Sequence, residues 1–181
     1  MAANTTLHHF EIALSDVDRG VYEALDLRVA QHPSETMARV LVRTLAYCLS
    51  YEEGIAFSKG GLSSAEEAPL SVCDATGRLL TWIDIGAPSA ERLHKASKAA
   101  TVVVYTHELA ALQRQTDGQK IHEADAIQVW AIDPAFVGTL AEALGRRAKI
   151  ELTRTDGTLY VAVDGAAALT TAVVRASLGG A

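Results

Sequence analysis

The sequence predicts an α/β protein of the α+β type, with a mixed central β-sheet flanked by helices. Short runs in which apolar and polar residues alternate indicate antiparallel hairpins, and elsewhere strands alternate with helices as in parallel crossovers. Both patterns occur in one chain, so a purely parallel, doubly wound sheet is not expected. With 181 residues, of which 49% are hydrophobic and 21% charged, the composition is globular, and we expect one domain over residues 1–181.

A β-hairpin is predicted at the start of the chain. Phe10, Ile12 and Leu14 alternate with polar or small residues, and the same period of two returns over Leu25–Val29. The polar run 16–20 between them is typical of a turn. We therefore expect two antiparallel strands that pair with each other.

The first helix is predicted from about residue 35 to residue 51, because apolar residues recur there at helical spacing. Ser34 is the predicted N-cap, and Glu35 is expected in the first turn, near the positive end of the helix dipole. Glu35, Arg39 and Arg43 form a ladder along one face. Its spacing favours a solvated row of salt bridges over a functional cluster.

The middle of the chain is predicted to form three strands followed by a basic helix. The turn at 74–77 separates two of the strands, which would form a second hairpin. Ser89 is a predicted N-cap, and the helix behind it carries Arg92, Lys95 and Lys98. The predicted segments are strands over 55–57, 70–73 and 79–85, a loop over 60–67, and a helix from 89 to about 99.

Strands again alternate with helices in the last third of the chain. The β-branched run Thr101–Tyr105 predicts a strand buried on both faces. Pro134 and Gly145 mark the beginning and end of a helix, and Asp156 with Gly157 predicts a tight hairpin turn. The remaining predicted segments are a short helix over 108–113, strands over 127–132, 149–154 and 158–163, and a last edge strand over 170–174.

Charge and cysteine content limit the classes of function. The net charge of −6 gives no general attraction for phosphate backbones, so a nucleic-acid site has to be a local basic patch. Cys48 and Cys73 lack the spacing of metal ligands, and we expect both to be buried, reduced thiols. The chain shows neither a signal-peptide pattern nor the ~18 apolar residues of a membrane span, so we expect a cytoplasmic protein without a membrane partner.

Several motifs of known chemistry are absent from the sequence. It contains no GxxxxGK[ST] phosphate loop, no GxGxxG and no GxSxG nucleophile elbow. The six histidines show neither HExxH nor a zinc spacing, and most are expected at the surface or at helix caps. His32 is of more interest because it lies beside the turn that carries Glu35.

Asp74 and Asp84, on the second predicted hairpin, are candidate ligands for Mg²⁺ or Mn²⁺, which prefer oxygen. A simple hairpin leaves Asp74 at the turn and Asp84 at the far end of its strand, so a bulge or crossing is needed to bring them together. The spacing favours an ordinary turn role for Asp74. Asp84, at a strand's carboxyl end before a helix, suits either a ligand-binding group or a helix cap.

Two segments of the chain resemble the signature of the YaeQ family. One is His32-Pro33-Ser34-Glu35-Thr36, and the other is Trp82-Ile83-Asp84-Ile85-Gly86-Ala87-Pro88, followed by Arg92 and Lys95-Ala96. The resemblance extends over essentially the whole chain. It implies a fold related to the restriction endonucleases, the PD-(D/E)xK superfamily, in which acidic residues bind a metal ion and a lysine assists.

Carried over by motif, the resemblance implies that Glu35, Asp74 and Asp84 form the metal-binding set for Mg²⁺ or Mn²⁺. The superfamily has its lysine two residues after the second strand acid, where this chain has a glycine. The resemblance implies that the cation has moved to the following helix, as Lys95 or, as an alternative, Lys98. An ammonium on a long side chain can reach one point from more than one backbone position.

Two functions are compatible with these observations, beside a structural or regulatory role in which the acidic residues only cap helices. The first is a metal-dependent phosphodiesterase or nuclease with Glu35, Asp74, Asp84 and Lys95 as its catalytic residues. The second is a degenerate, non-catalytic module that binds nucleic acid or a protein partner, which the missing lysine and the acidic net charge favour. A nucleic acid would be contacted by a local basic patch formed by Arg39, Arg43, Arg92, Lys95 and Lys98.

Overall fold

The computed structural model describes residues 4–59 and 66–180, where the chain forms ten strands and four α-helices. The strands are β1 (Thr6–Asp16), β2 (Val21–Gln31), β3 (Ile55–Phe57), β4 (Leu70–Cys73), β5 (Leu79–Ile85), β6 (Thr101–Thr106), β7 (Gln128–Ile132), β8 (Arg147–Thr155), β9 (Thr158–Val163) and β10 (Leu169–Ala176). The helices are α1 (Met37–Leu49), α2 (Ala90–Ala99), α3 (Leu109–Thr116) and α4 (Pro134–Ala143). Most of the predicted loop over 60–67 lies outside the described residues.

All ten strands join one mixed sheet in the order β2-β1-β8-β9-β10-β7-β6-β5-β4-β3. The pairs β1–β8, β5–β6 and β6–β7 are parallel, and the others are antiparallel. The predicted α+β class, the mixed sheet and the N-terminal hairpin are therefore confirmed. The predicted edge position of the last strand is wrong, because β10 lies between β9 and β7 and connects the two halves of the sheet. Many side chains of β10 are exposed, so its sequence has the polar pattern that is typical of an edge strand.

The sheet curls around α1, whose inner residues form the main core together with α4 and one face of the sheet. A smaller core lies under α2, on the other face of the sheet, where Leu93 and Ala96 pack against Val102 and Val104 of β6. Strand β6 is thus covered on both faces, as its β-branched sequence predicts. This arrangement brings the beginnings of α1, α2 and α3 to one end of β5 and β6.

Helix α1 begins two residues later than the sequence predicts. Its N-cap is Thr36, whose hydroxyl accepts a hydrogen bond from the backbone N–H of Arg39 at 3.2 Å. The prediction of Ser34 as the cap is therefore wrong, and Glu35 is not in the first turn. Both Ser34 and Thr36 have side chains that can cap a helix, and the local sequence does not distinguish them.

The two cysteines are free thiols. Cys48 is buried in α1 as predicted, and burial raises its pKa to about 12. Cys73 is only half-buried, because it ends β4 beside the turn to β5, so that part of the prediction is wrong. His8, expected at the surface, is buried and stacks on Phe10. None of the described helices is long and apolar enough to cross a membrane.

Candidate functional site

A cleft of about 710 Å³ opens at the carboxyl ends of the parallel strands β5 and β6. Residues before and within α1, α2 and α3, and the segment that precedes β4, form its walls. The ends of parallel strands are where open sheets commonly bind ligands. The charged residues that line the cleft are Arg39, Arg43, Lys59, Glu67, Asp84, Arg92 and Glu108.

Asp84 is buried at the floor of this cleft, with 2% of its surface exposed. Its Oδ2 accepts hydrogen bonds from Nε of Arg92 at 2.7 Å and from the indole N–H of Trp82 at 2.9 Å. Its Oδ1 accepts from the backbone N–H of Ile85 at 3.2 Å. Asp84 is therefore an ion-pair partner and not the cap of α2, whose N-cap is Ser89 as predicted. The guanidinium of Arg92 also stacks on the Trp82 ring.

Glu35 is the second buried carboxylate at this end of α1, and the guanidinium of Arg43 binds both of its oxygens. Nε of Arg43 donates to Oε1 at 3.1 Å, and Nη2 donates to Oε2 at 3.0 Å. Both side chains are buried, at 5% and 7% exposure, so the predicted solvated ladder is wrong. A bidentate pair of this kind is both strong and directional. It fixes the loop before α1 against the helix.

Arg39 lies between the two carboxylates. Its Nη1 donates to the carbonyl oxygen of Ile85 at 2.8 Å, and its Nε is 3.7 Å from Oε1 of Glu35. Burial lowers the pKa of Arg39, while the charges of Glu35 and Asp84 raise it. The guanidinium stays charged because its intrinsic pKa is above about 12. Within the described residues, Nη2 of Arg39 has no hydrogen-bond partner.

Gly86 lies two residues after Asp84, at the position where the PD-(D/E)xK motif implied by the resemblance has its lysine. Its φ of +79° favours glycine. A Cβ there would lie 3.0 Å from Oε2 of Glu108 and 3.3 Å from Nη1 of Arg39. The space that a side chain would need at this position is thus occupied by the guanidinium of Arg39, from α1, and by the carboxylate of Glu108, which precedes α3.

Asp74 lies at the other end of β5, in the turn between β4 and β5. Its Oδ1 accepts from the hydroxyl and the backbone N–H of Thr76 and from the backbone N–H of Arg78. These bonds, that of the Thr76 hydroxyl first, lower the pKa of Asp74. From Leu79, which pairs with Cys73, to Asp84 the strand extends on the order of 16 Å at about 3.3 Å per residue. The structure therefore does not bring Asp74 to the cleft.

The two lysines proposed as migrated cations lie on the outer side of α2. Nζ of Lys95 is 3.1 Å from Oε1 of Glu91, and both side chains are about three-quarters exposed, at 74% and 78%. Lys98 is exposed as well. Neither lines the cleft. Among the basic residues of α2, Arg92 is the one that reaches Asp84.

Two cleft residues, Glu108 and Gln115, and one partner of Asp84, Trp82, had no role at the site predicted from the sequence. Glu108 follows the carboxyl end of β6, and its position there was an available signal. Gln115 of α3 donates from Nε2 to the carbonyl of Ala87 at 3.0 Å, which ties α3 to the loop before α2. Trp82 shares a strand face with Asp84, since residues i and i+2 point the same way.

The predicted metal ligands do not form a set that fits Mg²⁺ or Mn²⁺. Glu35 and Asp84 each have an arginine as immediate partner, and Asp74 lies at the opposite end of β5. Among residues 4–59 and 66–180, no three His, Cys, Asp or Glu side chains are placed to hold a metal ion together. We call the assembled charged groups the cleft cluster; it comprises Glu35, Arg39, Arg43, Asp84 and Arg92.

Comparisons with known proteins agree on one family. The family model described as "YaeQ protein" matches residues 1–172. The uncharacterized protein YaeQ of Escherichia coli K12 is 28% identical over 167 residues, which cover 91% of this chain and 92% of that protein. The solved structure of YaeQ protein from Xanthomonas axonopodis pv. citri has a TM-score of 0.84 at 27% identity and covers 97% of this chain and 99% of that one. That from Pseudomonas syringae has a TM-score of 0.81 at 30% identity, with 96% of each chain covered.

Proposed function

The chain belongs to the YaeQ family, and from that premise we propose that its cleft binds the phosphate backbone of a nucleic acid without cleaving it. The observation that carries this proposal is the pair of guanidinium groups, Arg39 and Arg92, that two buried carboxylates hold in the cleft. Arginine is suited to phosphate because its planar fork of donors matches two oxygens at once.

Both guanidinium groups are held in place before a ligand arrives. Arg92 is fixed by Asp84 at 2.7 Å and by stacking on Trp82, whose ring centre lies 5.1 Å from Cζ. Arg39 is fixed by the Ile85 carbonyl and by Glu35. Side chains that are already ordered lose little conformational entropy on binding, so more of the interaction energy contributes to affinity. Nη2 of Arg39 has no hydrogen-bond partner in the part of the chain that the structure describes and is a donor available to a phosphate oxygen.

The surroundings of the cluster contribute charges of both signs, since Glu67 and Glu108 line the cleft as well as a further cation. Lys59 lines the cleft, and so do Ala87 and Pro88, which lead into the amino end of α2. A helix amino terminus carries a partial positive charge that favours anions. With a net charge of −6 over the chain, attraction for phosphate is confined to this local patch. A cytoplasmic location, expected from the sequence, is part of the same proposal.

The proposal is tested by fluorescence anisotropy of a labelled single-stranded oligonucleotide in the presence of EDTA. We expect the wild-type protein to bind and Arg39→Gln to bind at least tenfold more weakly, since hydrogen bonds to charged groups contribute about 1.5–3 kcal/mol. Arg114→Gln is the matched control, because Arg114 is an exposed arginine of α3 that does not line the cleft. Equal affinities of the two variants would contradict the proposal.

Metal-dependent phosphodiester hydrolysis is the second candidate. The observation behind it is that two of the three predicted carboxylates, Glu35 and Asp84, are both buried near Arg39, although each is paired with an arginine. Its test is incubation of protein with DNA and RNA in Mg²⁺ or Mn²⁺, beside Asp84→Asn. Cleavage that requires the metal and is lost in the variant would establish this candidate; binding without cleavage supports the first.

A further inference from the structure

His32 lines the cleft, and a neighbouring turn fixes its imidazole ring. The backbone N–H of Ser34 donates to Nδ1 of His32 at 3.2 Å, and the Ser34 hydroxyl lies 2.7 Å from the same nitrogen. The other ring nitrogen, Nε2, has no hydrogen-bond partner among residues 4–59 and 66–180. The ring thus turns one nitrogen to the protein and leaves the other for the cleft.

These contacts determine the tautomer of the neutral ring. A backbone N–H can only donate, so Nδ1 has to be the acceptor in its bond with Ser34. In a neutral imidazole, one nitrogen accepts while the other carries the proton. The proton therefore lies on Nε2, which makes His32 a hydrogen-bond donor towards the cleft.

The turn over residues 32–35 is closed without the imidazole ring of His32. The backbone N–H of Glu35 donates to the His32 carbonyl at 2.8 Å, and this bond already closes the turn. Thr36 caps α1, so Ser34 is not required for the helix. Ser34 instead directs both its N–H and its hydroxyl at the imidazole. These groups serve to orient His32.

We propose that His32 is a ligand-binding residue of the cleft, whose Nε2–H donates to a non-bridging oxygen of the bound phosphodiester. The inference rests on the proposed phosphate-binding function and adds a neutral donor to the charged ones. Arg39 and Arg43 of α1 line the same cleft, so a bound phosphodiester would find guanidinium and imidazole donors in one cleft. A neutral donor in fixed orientation adds direction to the attraction that the cations provide.

The first test is independent of any ligand. Long-range ¹H–¹⁵N NMR spectra of the imidazole distinguish the two neutral tautomers, and we expect His32 with its proton on Nε2. Ser34→Gly, which keeps the backbone N–H, should preserve that tautomer. A wild-type ring with its proton on Nδ1 would overturn the inference, whatever the protein binds.

The second test compares the affinities of the variants for a short labelled oligothymidylate, whose bases carry no charge near neutral pH. We expect His32→Leu to bind on the order of tenfold more weakly. His32→Gln should stay within about threefold of the wild type, because its amide nitrogen offers a donor at a similar reach. Thermal melting of each variant checks that it is folded.

The outcomes separate this inference from the proposed function. No binding by the wild-type protein would overturn both. Binding that is lost in Arg39→Gln but equal in wild type, His32→Leu and His32→Gln would overturn the role of His32 alone. Loss in His32→Leu with retention in His32→Gln supports it.

Discussion

The two ends of α1 each carry a buried carboxylate between arginines, but they differ in what those arginines contact. At the beginning of the helix lies the cleft cluster. At its other end lies a second group, which we call the turn-end cluster. It comprises Asp16, Arg19, Ser50, Tyr105 and Arg154. Strand β1 extends between the two ends, from Thr6 to Asp16.

In the turn-end cluster both terminal nitrogens of Arg19 donate to the protein itself, while Nε of Arg154 is buried without a hydrogen-bond partner among the described residues. Arg19 donates to the carbonyl oxygens of Leu49 and Tyr51, both at 2.7 Å, and so completes the carboxyl end of α1. Asp16 has no exposed surface, and its Oδ2 is 3.6 Å from Nη1 of Arg19 and 3.8 Å from Nη1 of Arg154. The cluster thereby connects the first hairpin to α1 and β8.

The comparison shows that a buried ion-pair cluster is not by itself a sign of function. Both clusters pair buried carboxylates with arginines, and such pairs contribute uncertain net stability because their desolvation is costly. In the described part of the chain, Nη2 of Arg39, Nε2 of the cleft residue His32 and Nε of Arg154 all lack a hydrogen-bond partner. The cleft cluster differs because its unpartnered donor borders a large cleft, whereas that of Arg154 is buried. Donors left available in a cleft are therefore the more informative feature.

The largest expected effect is on stability, at the turn-end cluster. Asp16→Ala removes the buried carboxylate that Arg19 and Arg154 share, although Arg154 keeps Asp18 at 3.3 Å, and we expect it to lower the free energy of unfolding by about 3 kcal/mol. Oligonucleotide affinity should be unchanged. Urea denaturation and anisotropy measure the two quantities. Weaker binding with unchanged stability would reverse the assignment of the two clusters.

Asp84→Asn should lower stability and change phosphate affinity little. The amide weakens the pair with Arg92, and we expect the free energy of unfolding to fall by about 2 kcal/mol, since charge-assisted bonds are roughly twice as strong as neutral ones. Removing a negative charge from the cleft favours phosphate, while the weaker hold on Arg92 disfavours it, so the affinity should change little. A large loss of affinity would contradict the account.

Gly86→Ala tests the close approach of Arg39 and Glu108. Its matched control is Gly77→Ala, because Gly77 has a similar φ of +85° but nothing within 4 Å of its Cβ position, whereas Gly86 has both neighbours. We expect about 1 kcal/mol of destabilisation from backbone strain in each variant. Reduced oligonucleotide affinity is expected in Gly86→Ala alone. Equal affinities would show that the position of Arg39 does not matter for binding.

The smallest effect is expected at the outer face of α2. Lys95→Ala removes an exposed pair with Glu91, which is worth less than about 0.5 kcal/mol on a helix. Neither stability nor binding should change beyond error in melting and anisotropy experiments, and Lys98→Ala should behave in the same way. A marked loss of binding or of cleavage in Lys95→Ala would restore it as the migrated cation of the motif.

Local patterns in the sequence predicted most of the secondary structure. Alternation located the strands of both hairpins, and Ser89 was correctly identified as a helix cap. Spacing also indicated that Asp74 is a turn residue distant from Asp84, as the structure shows. These features depend on neighbours in the chain, which is why the sequence contains the signal.

The composition of the cleft could not be predicted in the same way. The contact of Arg39 with the Ile85 carbonyl joins residues 46 positions apart, and Gly86 meets Glu108 across the end of two strands. Such contacts depend on how the sheet curls around α1. The helical spacing of Glu35, Arg39 and Arg43 was visible, but whether that face is solvated or buried depends on tertiary packing.

The salt dependence of oligonucleotide binding tests most directly the claim that the cleft cluster, and not the turn-end cluster, contacts phosphate. Wild type, Arg39→Gln and Arg154→Gln are titrated with oligothymidylate over a range of salt concentrations. We predict that the magnitude of the slope of log affinity against log salt falls by about 1 in Arg39→Gln, as for one lost phosphate contact. The slope should be unchanged in Arg154→Gln. An unchanged slope in Arg39→Gln, or an equal fall in both variants, would contradict it.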